Sequence, residues 1–281
     1  PGHPMPPPIL PTTPRCLRLL ASVLCVVVAT LAAASTPVLV GRVHLDRDAN
    51  GRIEPGEPPL PGVRLSDGER VVASDASGAF RFERPTGPVF VVKPPHHRLP
   101  MRPDGLPDFW RPAGTAQWDI ALAESPLQAP YDVRVFGDPQ PKNTADVGYY
   151  ERDIVADEAR LPRARLGVSL GDIVHGNLAL LPAMARATAA TRTPWLHASG
   201  NHDRDHDAVT DEASLDSFRQ VFGPDTFAWE EPGLAVVVLD NVIHQPGTGV
   251  PARYVGGLRE SQFRFLEAWL PTVPDDTLLV L

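Results

Sequence analysis

From residue 130 onward, short runs of β-forming apolar residues alternate with longer runs of helical periodicity. The strand-like runs are YDVRVFG (131–137), RLGVSLG (165–171), PWLHASG (194–200), LAVVVLDN (234–241) and DTLLVL (276–281). The helix-like runs between them span residues 145–161, 177–190, 211–222 and 258–270. Such alternation predicts an α/β architecture. In the last helix, Phe263, Leu266 and Leu270 are predicted to form the apolar face.

The segment before residue 125 has a different pattern. Six short β-prone runs lie in residues 37–124: VLVGRVHL, GVRLSDG, RVVASD, AFRFE, VFVVK and WDIAL. Turn-forming residues such as Ser66-Asp67-Gly68 separate them. Closely spaced short strands of this kind predict a small all-β sandwich domain. The proline-rich stretch from Pro94 to Pro112 is predicted to be a long surface loop.

Residues 1–36 are predicted to be an N-terminal extension and signal peptide. Arg15 and Arg18 precede an apolar run at residues 19–31, and the small residues AAAS follow it. Because a membrane span needs about 20 apolar residues, we expect cleavage and no stable span afterwards, with an uncleaved anchor as the alternative. The protein is therefore expected to be secreted or periplasmic. Both cysteines, Cys16 and Cys25, lie in this segment.

The charge balance bears on the class of partner. The chain has 26 Lys and Arg against 34 Asp and Glu, which gives a formal net charge of −8. Nucleic-acid binding depends on basic patches that displace counterions. We therefore expect no specific nucleic-acid binding, whereas local carboxylates remain available for a metal site.

Polar side chains follow three successive strands of the predicted α/β region. Asp138-Pro139-Gln140, Gly171-Asp172 and Gly200-Asn201-His202-Asp203 each stand directly after an apolar run. Ligands of open α/β sheets bind where strand carboxyl ends meet their loops, and oxygen donors suit hard divalent ions. A single Asp at a strand end usually forms a turn or a cap. Three such strand ends in order, here called the first, second and third exits, instead predict a metal centre.

The order D-x-Q, GD and GNHD resembles that of the calcineurin-like metallophosphoesterases, from Tyr131 to the end of the sequence. The resemblance implies that residues 125–281 form the N-terminal part of a metallophosphoesterase-type α/β/β/α sandwich. It also implies a metal-dependent hydrolase that cleaves phosphate mono- or diesters with a hydroxide shared by two divalent ions (Mn, Fe, Zn or Mg), which the signal peptide would make an exported enzyme. The implied substrate is a phosphate-ester small molecule or a lipid headgroup, selected by loops such as 141–152 and 242–257.

The resemblance assigns roles residue by residue. Its metal ligands are Asp138, Gln140, Asp172 and Asn201. Gln140 stands where most of the family has histidine, which replaces a nitrogen ligand with an amide oxygen. His202 would polarise the phosphate or protonate the leaving group, and Asp203 would orient His202. The family's later ligands, a histidine and a G-H-x-H pair, would fall after Leu281, so these 281 residues are expected to bind metal weakly and to catalyse poorly.

A second metal motif lies in the β-rich segment. The sequence DRDANGRIEPGE (46–57) fits the calcium-loop pattern D-x-D-x-N-G-x-I-x-x-x-E. The pattern predicts these ligands: the side chains of Asp46, Asp48 and Asn50, the Arg52 carbonyl, and Glu57 in bidentate fashion. An ion-free hairpin rich in Asp, Asn and Gly is the alternative. The calcium loop also supports an alternative function for the whole protein. The protein would then be a calcium-stabilised surface binding protein whose phosphoesterase-like domain is inactive.

The remaining histidines receive structural interpretations. His175 is placed either in the pocket or in a supporting loop, since it follows Asp172 by three residues. His197 is predicted to pack in the core, because it lies in the middle of a strand. His206 and His244 are not predicted to bind metal.

Overall fold

The computed structural model describes residues 2, 37–126, 130–247 and 253–281. The predicted signal segment, with Cys16, Cys25 and the apolar run at 19–31, lies outside these residues, as does most of the predicted extension. The described residues from 37 onward belong to one compact unit. Among the described residues, no helix combines the length and the apolar character that crossing a bilayer requires.

The first half of the unit is built from strands, in which apolar and polar residues alternate. In Ala79–Glu83, for example, Phe80 and Phe82 are buried while Arg81 is exposed, as the period of two along a strand requires. The strands are β1 (Val38–Asp46), β2 (Arg64–Ser66), β3 (Val71–Ala73), β4 (Ala79–Glu83), β5 (Val89–Val91), β6 (His97–Arg98), β7 (Trp110–Arg111) and β8 (Ile120–Glu124). They form two four-stranded sheets, ordered β4-β1-β8-β6 and β3-β2-β5-β7.

The second half alternates strands with helices. Its strands are β9 (Val133–Phe136), β10 (Leu166–Ser169), β11 (Trp195–His197), β12 (Phe227–Glu231), β13 (Leu234–Val238), β14 (Val242–His244), β15 (Tyr254–Gly256) and β16 (Leu278–Val280). Its helices are α1 (Thr144–Tyr150), α2 (Ala156–Glu158), α3 (Leu181–Ala189), α4 (Asp216–Phe222) and α5 (Glu260–Trp269), and a π-helical turn, Glu151–Val155, joins α1 to α2. Asn143 starts α1 because its side chain accepts from the N–H groups of Ala145 and Asp146.

Three separate sheets arise from these strands. β9, β10 and β11 form a parallel sheet in the order β11-β10-β9. β12, β13 and β16 form a mixed sheet, and β14 pairs with β15 as an antiparallel hairpin. The predicted α/β content is therefore confirmed, and the helix-like runs correspond to α1–α2, α3, α4 and α5. The β-sandwich and the incomplete α/β/β/α sandwich stay predictions.

One hydrophobic core draws on both halves of the unit. Phe90 of β5 makes edge contacts with Phe227 of β12 and Phe265 of α5, at ring-centroid distances of 6.4 and 5.6 Å. Phe109 lies 5.0 Å from Phe227. A second core cluster lies beneath α1, α3 and α4 and includes Leu106. The predicted boundary between residues 124 and 125 is thus crossed by aromatic packing, and the division into domains stays a prediction.

Two local predictions are wrong. The stretch from Pro94 to Pro112 is not simply a surface loop, because Leu106 and Phe109 are buried against the second half of the unit. In α5 the predicted apolar face is wrong in part. Leu266 packs against the core as predicted, but Phe263 and Leu270 are 47% and 39% exposed, and the buried residues of the helix are Gln262, Phe265 and Trp269.

Candidate metal centre

The carboxyl ends of three parallel strands meet at one edge of the β11-β10-β9 sheet. The backbone continues the pairing beyond the strands, since Leu170 N donates to Phe136 O at 2.8 Å and Ala198 N donates to Ser169 O at 2.9 Å. Gln140 N then donates to Asp172 O at 3.1 Å. The exits that carry Asp138-Gln140, Asp172 and Asn201-Asp203 are therefore neighbours, as the alternation of the sequence predicted.

The carboxylate of Asp172 contacts both neighbouring exits. Its Oδ2 accepts a hydrogen bond from Gln140 Nε2 at 2.7 Å, and its Oδ1 accepts one from the backbone N–H of His202 at 3.0 Å. The Asp172 carboxylate thus contacts two residues, His202 and Gln140, that lie 30 and 32 positions away from it along the chain. Within the described residues, the side chains of Asp138 and Asn201 make no hydrogen bond to Asp172. These two residues lie at the same edge of the sheet because they follow β9 and β11.

The backbone at this edge adopts conformations that non-glycine residues rarely occupy. Asp138, Gln140 and Asp172 have φ angles of 57°, 42° and 48°. Such left-handed residues cluster at functional sites, where the surrounding structure holds them against their own preference. Gly200 is required for a different reason: a Cβ there would lie 2.1 Å from Asp172 Oδ1. The glycine of GNHD is what lets the Asp172 carboxylate approach the third exit.

Asp203 ties the second exit to the third. It is fully buried, and its carboxylate accepts from the N–H groups of Ile173, Val174 and Gly200 at 3.1, 3.0 and 2.9 Å. Burial raises the pKa of Asp203 to about 6, against the opposing effect of these three donors. The hydrogen bonds recorded for this carboxylate go to backbone groups, so its expected action on the His202 ring stays a prediction.

His175 lies beside His202. Their rings stack with centroids 4.4 Å apart and an angle of 22° between planes, and His175 Nδ1 lies 3.1 Å from Gln140 Oε1. The sequence left His175 between a pocket and a supporting role. The structure places it in contact with two of the predicted site residues, where it limits the freedom of the His202 ring.

The four predicted ligands at this edge are all oxygen donors. Asp138, Gln140, Asp172 and Asn201 offer carboxylate and amide oxygens, the donors that hard and borderline cations bind. The polar ends of Gln140 and Asp172 are 2.7 Å apart, close to the spacing of two donors on one ion. Rotation of the Gln140 amide by half a turn would present its oxygen at the same place. Because Gly200 has no Cβ, the Asp172 carboxylate can approach the third exit while it contacts Gln140 of the first.

The calcium-type loop forms a second candidate metal centre. In the described parts of the chain, Asp46, Asp48 and Glu57 are the one group of three or more His, Cys, Asp or Glu residues whose ligand atoms all lie within 4.8 Å of one another. The carboxylates accept backbone N–H groups: Asp46 from Gly51 at 2.8 Å and Glu57 from Arg47 at 3.0 Å. This acidic triad could hold a metal ion.

The other two predicted ligands of the loop are close by. Asn50 Nδ2 donates to Asp48 Oδ2 at 2.9 Å, and Arg52 N donates to Asn50 Oδ1 at 2.7 Å. Gly51 has a φ of 76°, which supplies the turn that the loop pattern assigns to it. Ligation by the Asn50 side chain and by the Arg52 carbonyl stays a prediction.

Arg204 was not identified from the sequence. It directly follows GNHD, is only 1% exposed, and donates from Nε to the carbonyl of Asn201 at 3.0 Å. A guanidinium buried next to a predicted ligand is informative, because long charged side chains are rarely buried without a specific partner. The only signal in the sequence was its position after the motif.

Comparisons with known proteins give little beyond this geometry. No family model and no curated protein matches the chain. A solved purple acid phosphatase from seeds of yellow lupin (Lupinus luteus) is 12% identical, with 76% of this chain and 43% of that chain covered and a TM-score of 0.35. A mutant of the shaft pilin SpaA from Lactobacillus rhamnosus GG is 12% identical, with 37% and 56% covered and a TM-score of 0.24. The chain spans about half the length of each, and both scores are too low to establish a shared fold.

Proposed function

We propose that this chain is a metal-dependent phosphoesterase whose centre lies at the edge of the β11-β10-β9 sheet. The observation that supports it most is the Asp172 carboxylate, which lies within hydrogen-bond distance of both Gln140 and His202. A carboxylate shared between neighbouring exits is what a pair of divalent cations requires of a bridging ligand. Mn, Fe, Zn and Mg are the candidate ions.

Each side chain has a defined task in this proposal. Asp138, Gln140 and Asp172 would hold one cation, and Asp172 and Asn201 would hold the second. Such cations, when bound, lower the pKa of a water molecule and stabilise charge on phosphoryl oxygens. His202 supplies a proton to the departing oxygen of the ester, and its stack on His175 keeps the ring in one plane.

The buried Asp203 keeps this arrangement rigid. Its carboxylate binds N–H groups of both the second and the third exit, so a shift of either loop would break at least one of these bonds. The substrate is proposed to be a phosphate-ester small molecule or a lipid headgroup, without specific binding of nucleic acid. The protein is proposed to be exported to the periplasm or the medium after removal of the signal segment.

A Mn²⁺ titration of the full chain, followed by electron paramagnetic resonance, tests the proposed function. The titration is done in a Glu57→Gln background, so that the acidic triad does not contribute. We expect Asp172→Asn to lose Mn²⁺ binding, and Asp216→Asn, at an exposed position on α4, to retain it. Hydrolysis of bis(p-nitrophenyl) phosphate is expected to be slow, to depend on Mn²⁺ and to be lost in Asp172→Asn. Equal Mn²⁺ binding by the two variants would refute the proposal.

A second candidate function is carried by the acidic triad. We propose that Asp46, Asp48, Asn50, the Arg52 carbonyl and Glu57 bind calcium and stiffen the β-rich half. If calcium stabilises the protein while no Asp172-dependent Mn²⁺ binding exists, the chain is better described as a calcium-stabilised surface binding protein with an inactive phosphoesterase-like region. The proximity of the three carboxylates supports this alternative.

A further inference from the structure

The side chain of Arg204 connects the GNHD loop to the β14–β15 hairpin. Besides the Asn201 carbonyl, its Nη1 lies 2.9 Å from His244 Nδ1 in β14 and 3.3 Å from the Arg253 carbonyl. The guanidinium carbon lies 4.6 Å from the centre of the Tyr254 ring in β15. A single buried cation therefore contacts the loop that carries the predicted ligand and both strands of the hairpin.

These contacts orient the ring of His244. A guanidinium only donates, so His244 Nδ1 must accept from Arg204. The ring proton then belongs on Nε2, which lies 2.9 Å from the carbonyl of Ala208. Both ring nitrogens of His244 thus have a hydrogen-bond partner. The ring of His244 therefore joins β14 to Arg204 and to Ala208.

The hairpin has further contacts besides those with Arg204. The backbone N–H of His244 donates to Asp211 Oδ1 at 2.5 Å, and Arg259 donates to both oxygens of Asp211 at 2.5 and 2.8 Å. Arg259 also donates to Asp240 at 2.6 Å. The hairpin is therefore also fixed to the start of α5, and Arg204 connects it to the Asn201 carbonyl.

We propose that Arg204 is a positioning residue: it holds the Asn201 carbonyl, so that the Asn201 side chain is oriented for metal binding, and it couples that orientation to the paired strands β14 and β15. The inference rests on the proposed function in one respect, the role of Asn201 as a ligand. The coupling between loop and hairpin is independent of any metal. A substrate that contacts the hairpin would thereby affect the metal centre.

The test compares Arg204→Met and Arg204→Lys with the control Arg160→Met, in the full chain with Glu57→Gln. Arg160 pairs with Asp157 at the surface and lies outside the proposed site. We expect Arg204→Met to bind Mn²⁺ roughly tenfold more weakly, the size of effect usual for residues that orient a ligand. Arg204→Lys keeps the charge but lacks the planar fork, so an intermediate affinity is expected.

Hydrogen–deuterium exchange of the metal-free protein, well below its unfolding midpoint, tests the coupling separately. We expect Arg204→Met to speed exchange in residues 242–247 and 253–256 and in residues 200–203, with the β9 and β10 amides unchanged. His244→Phe, which removes the acceptor but leaves Asn201 in contact with Arg204, should affect mainly the hairpin. It replaces Arg204→Met in this test if the latter does not fold.

The outcomes separate the two proposals. If the parent protein shows no Asp172-dependent Mn²⁺ binding, the proposed function fails, and the exchange pattern alone decides whether Arg204 couples loop and hairpin. If that binding exists but both Arg204 variants bind Mn²⁺ like the parent, the positioning role is overturned. Unchanged exchange in the hairpin overturns it as well. A lower unfolding midpoint without either change would indicate a role in stability alone.

Discussion

The Nζ atom of Lys93 lies 2.8 Å from Oε1 of Glu231, and the two side chains are only 1% and 3% exposed. This ion pair joins the β-rich half of the unit to β12 in the α/β half. Arg165 extends it, with Nε 2.6 Å from the other Glu231 oxygen, and the Trp229 indole N–H donates to Oε1 at 2.9 Å. Charges this deeply buried persist only where each has a partner.

Removal of Lys93 should weaken the whole unit. Lys93→Met leaves Glu231 buried with one cation fewer, and loss of one partner of a buried pair costs about 3 kcal/mol of the free energy of unfolding. Urea denaturation followed by tryptophan fluorescence measures this cost. Arg81→Met breaks an exposed pair with Glu83 and should change the free energy by less than about 1 kcal/mol. Similar losses in both variants would contradict the importance of the buried pair.

The same lysine predicts a change of stability in alkaline solution. Burial lowers the pKa of Lys93 to about 8, against the attraction of Glu231. In the unfolded chain the pKa is about 10.4. Between these two values the unfolded state binds more protons than the folded state, so stability rises with pH over that window. The difference in unfolding free energy between the parent and Lys93→Met should therefore change from pH 8 to pH 10; a constant difference would argue against the lowered pKa.

Much of the candidate centre was predictable because its signals are local. A strand, a glycine and a polar side chain are adjacent in the sequence, and parallel strands then bring Gln140, Asp172 and His202 together. Arg204 and His244 were not predicted as a pair, since 40 residues separate them and only the hairpin's return brings them into contact. Pairing of Lys93 with Glu231 depends on tertiary packing in the same way.

The face of α5 shows a different limit. Apolar periodicity favoured Phe263, yet the helix buries Gln262. That side chain accepts from the N–H of Arg259 at 2.7 Å and donates to Thr226 Oγ1 and the Asp240 carbonyl, each at 3.0 Å. A polar residue whose side-chain polar groups are all hydrogen-bonded can occupy a core position. A search for apolar periodicity does not reveal such a residue.

His197 should make the protein sensitive to acid. Both ring nitrogens are buried without a partner among the described residues, the ring packs 4.2 Å from that of Phe222, and burial lowers its pKa to about 3. Below its unfolded pKa of about 6.5, the unfolded state binds the extra proton, so stability falls as pH decreases toward 3. His197→Leu should reduce this acid-induced fall in the free energy of unfolding, as measured by urea denaturation. His96→Leu, at an exposed position, should keep the slope of the parent; an unaltered slope in His197→Leu would refute the assignment.

Calcium should stabilise the protein through the acidic triad. Ligand binding to the folded state adds about 2.7 kcal/mol when the free ion exceeds its Kd a hundredfold. We expect the thermal midpoint to rise with millimolar CaCl₂ and to fall again with chelator. Glu57→Gln, which removes the predicted bidentate ligand, should abolish the response, whereas Glu69→Gln, outside the loop, should retain it. A midpoint indifferent to calcium and chelator would favour the ion-free hairpin.

Gly200 should tolerate no side chain. In Gly200→Ala the new Cβ would lie 2.1 Å from Asp172 Oδ1 and 2.3 Å from the Asp172 backbone nitrogen, so the carboxylate and the loop must move apart. We expect loss of Asp172-dependent Mn²⁺ binding together with a lower unfolding midpoint. Gly148→Ala is the matched control: its Cβ would meet nothing within 4 Å, and alanine in helix α1 should stabilise the protein by about 0.5–1 kcal/mol. Parent-like Mn²⁺ binding by Gly200→Ala would show that Asp172 and the third exit need not approach each other, and the proposed centre would then lose its main geometric support.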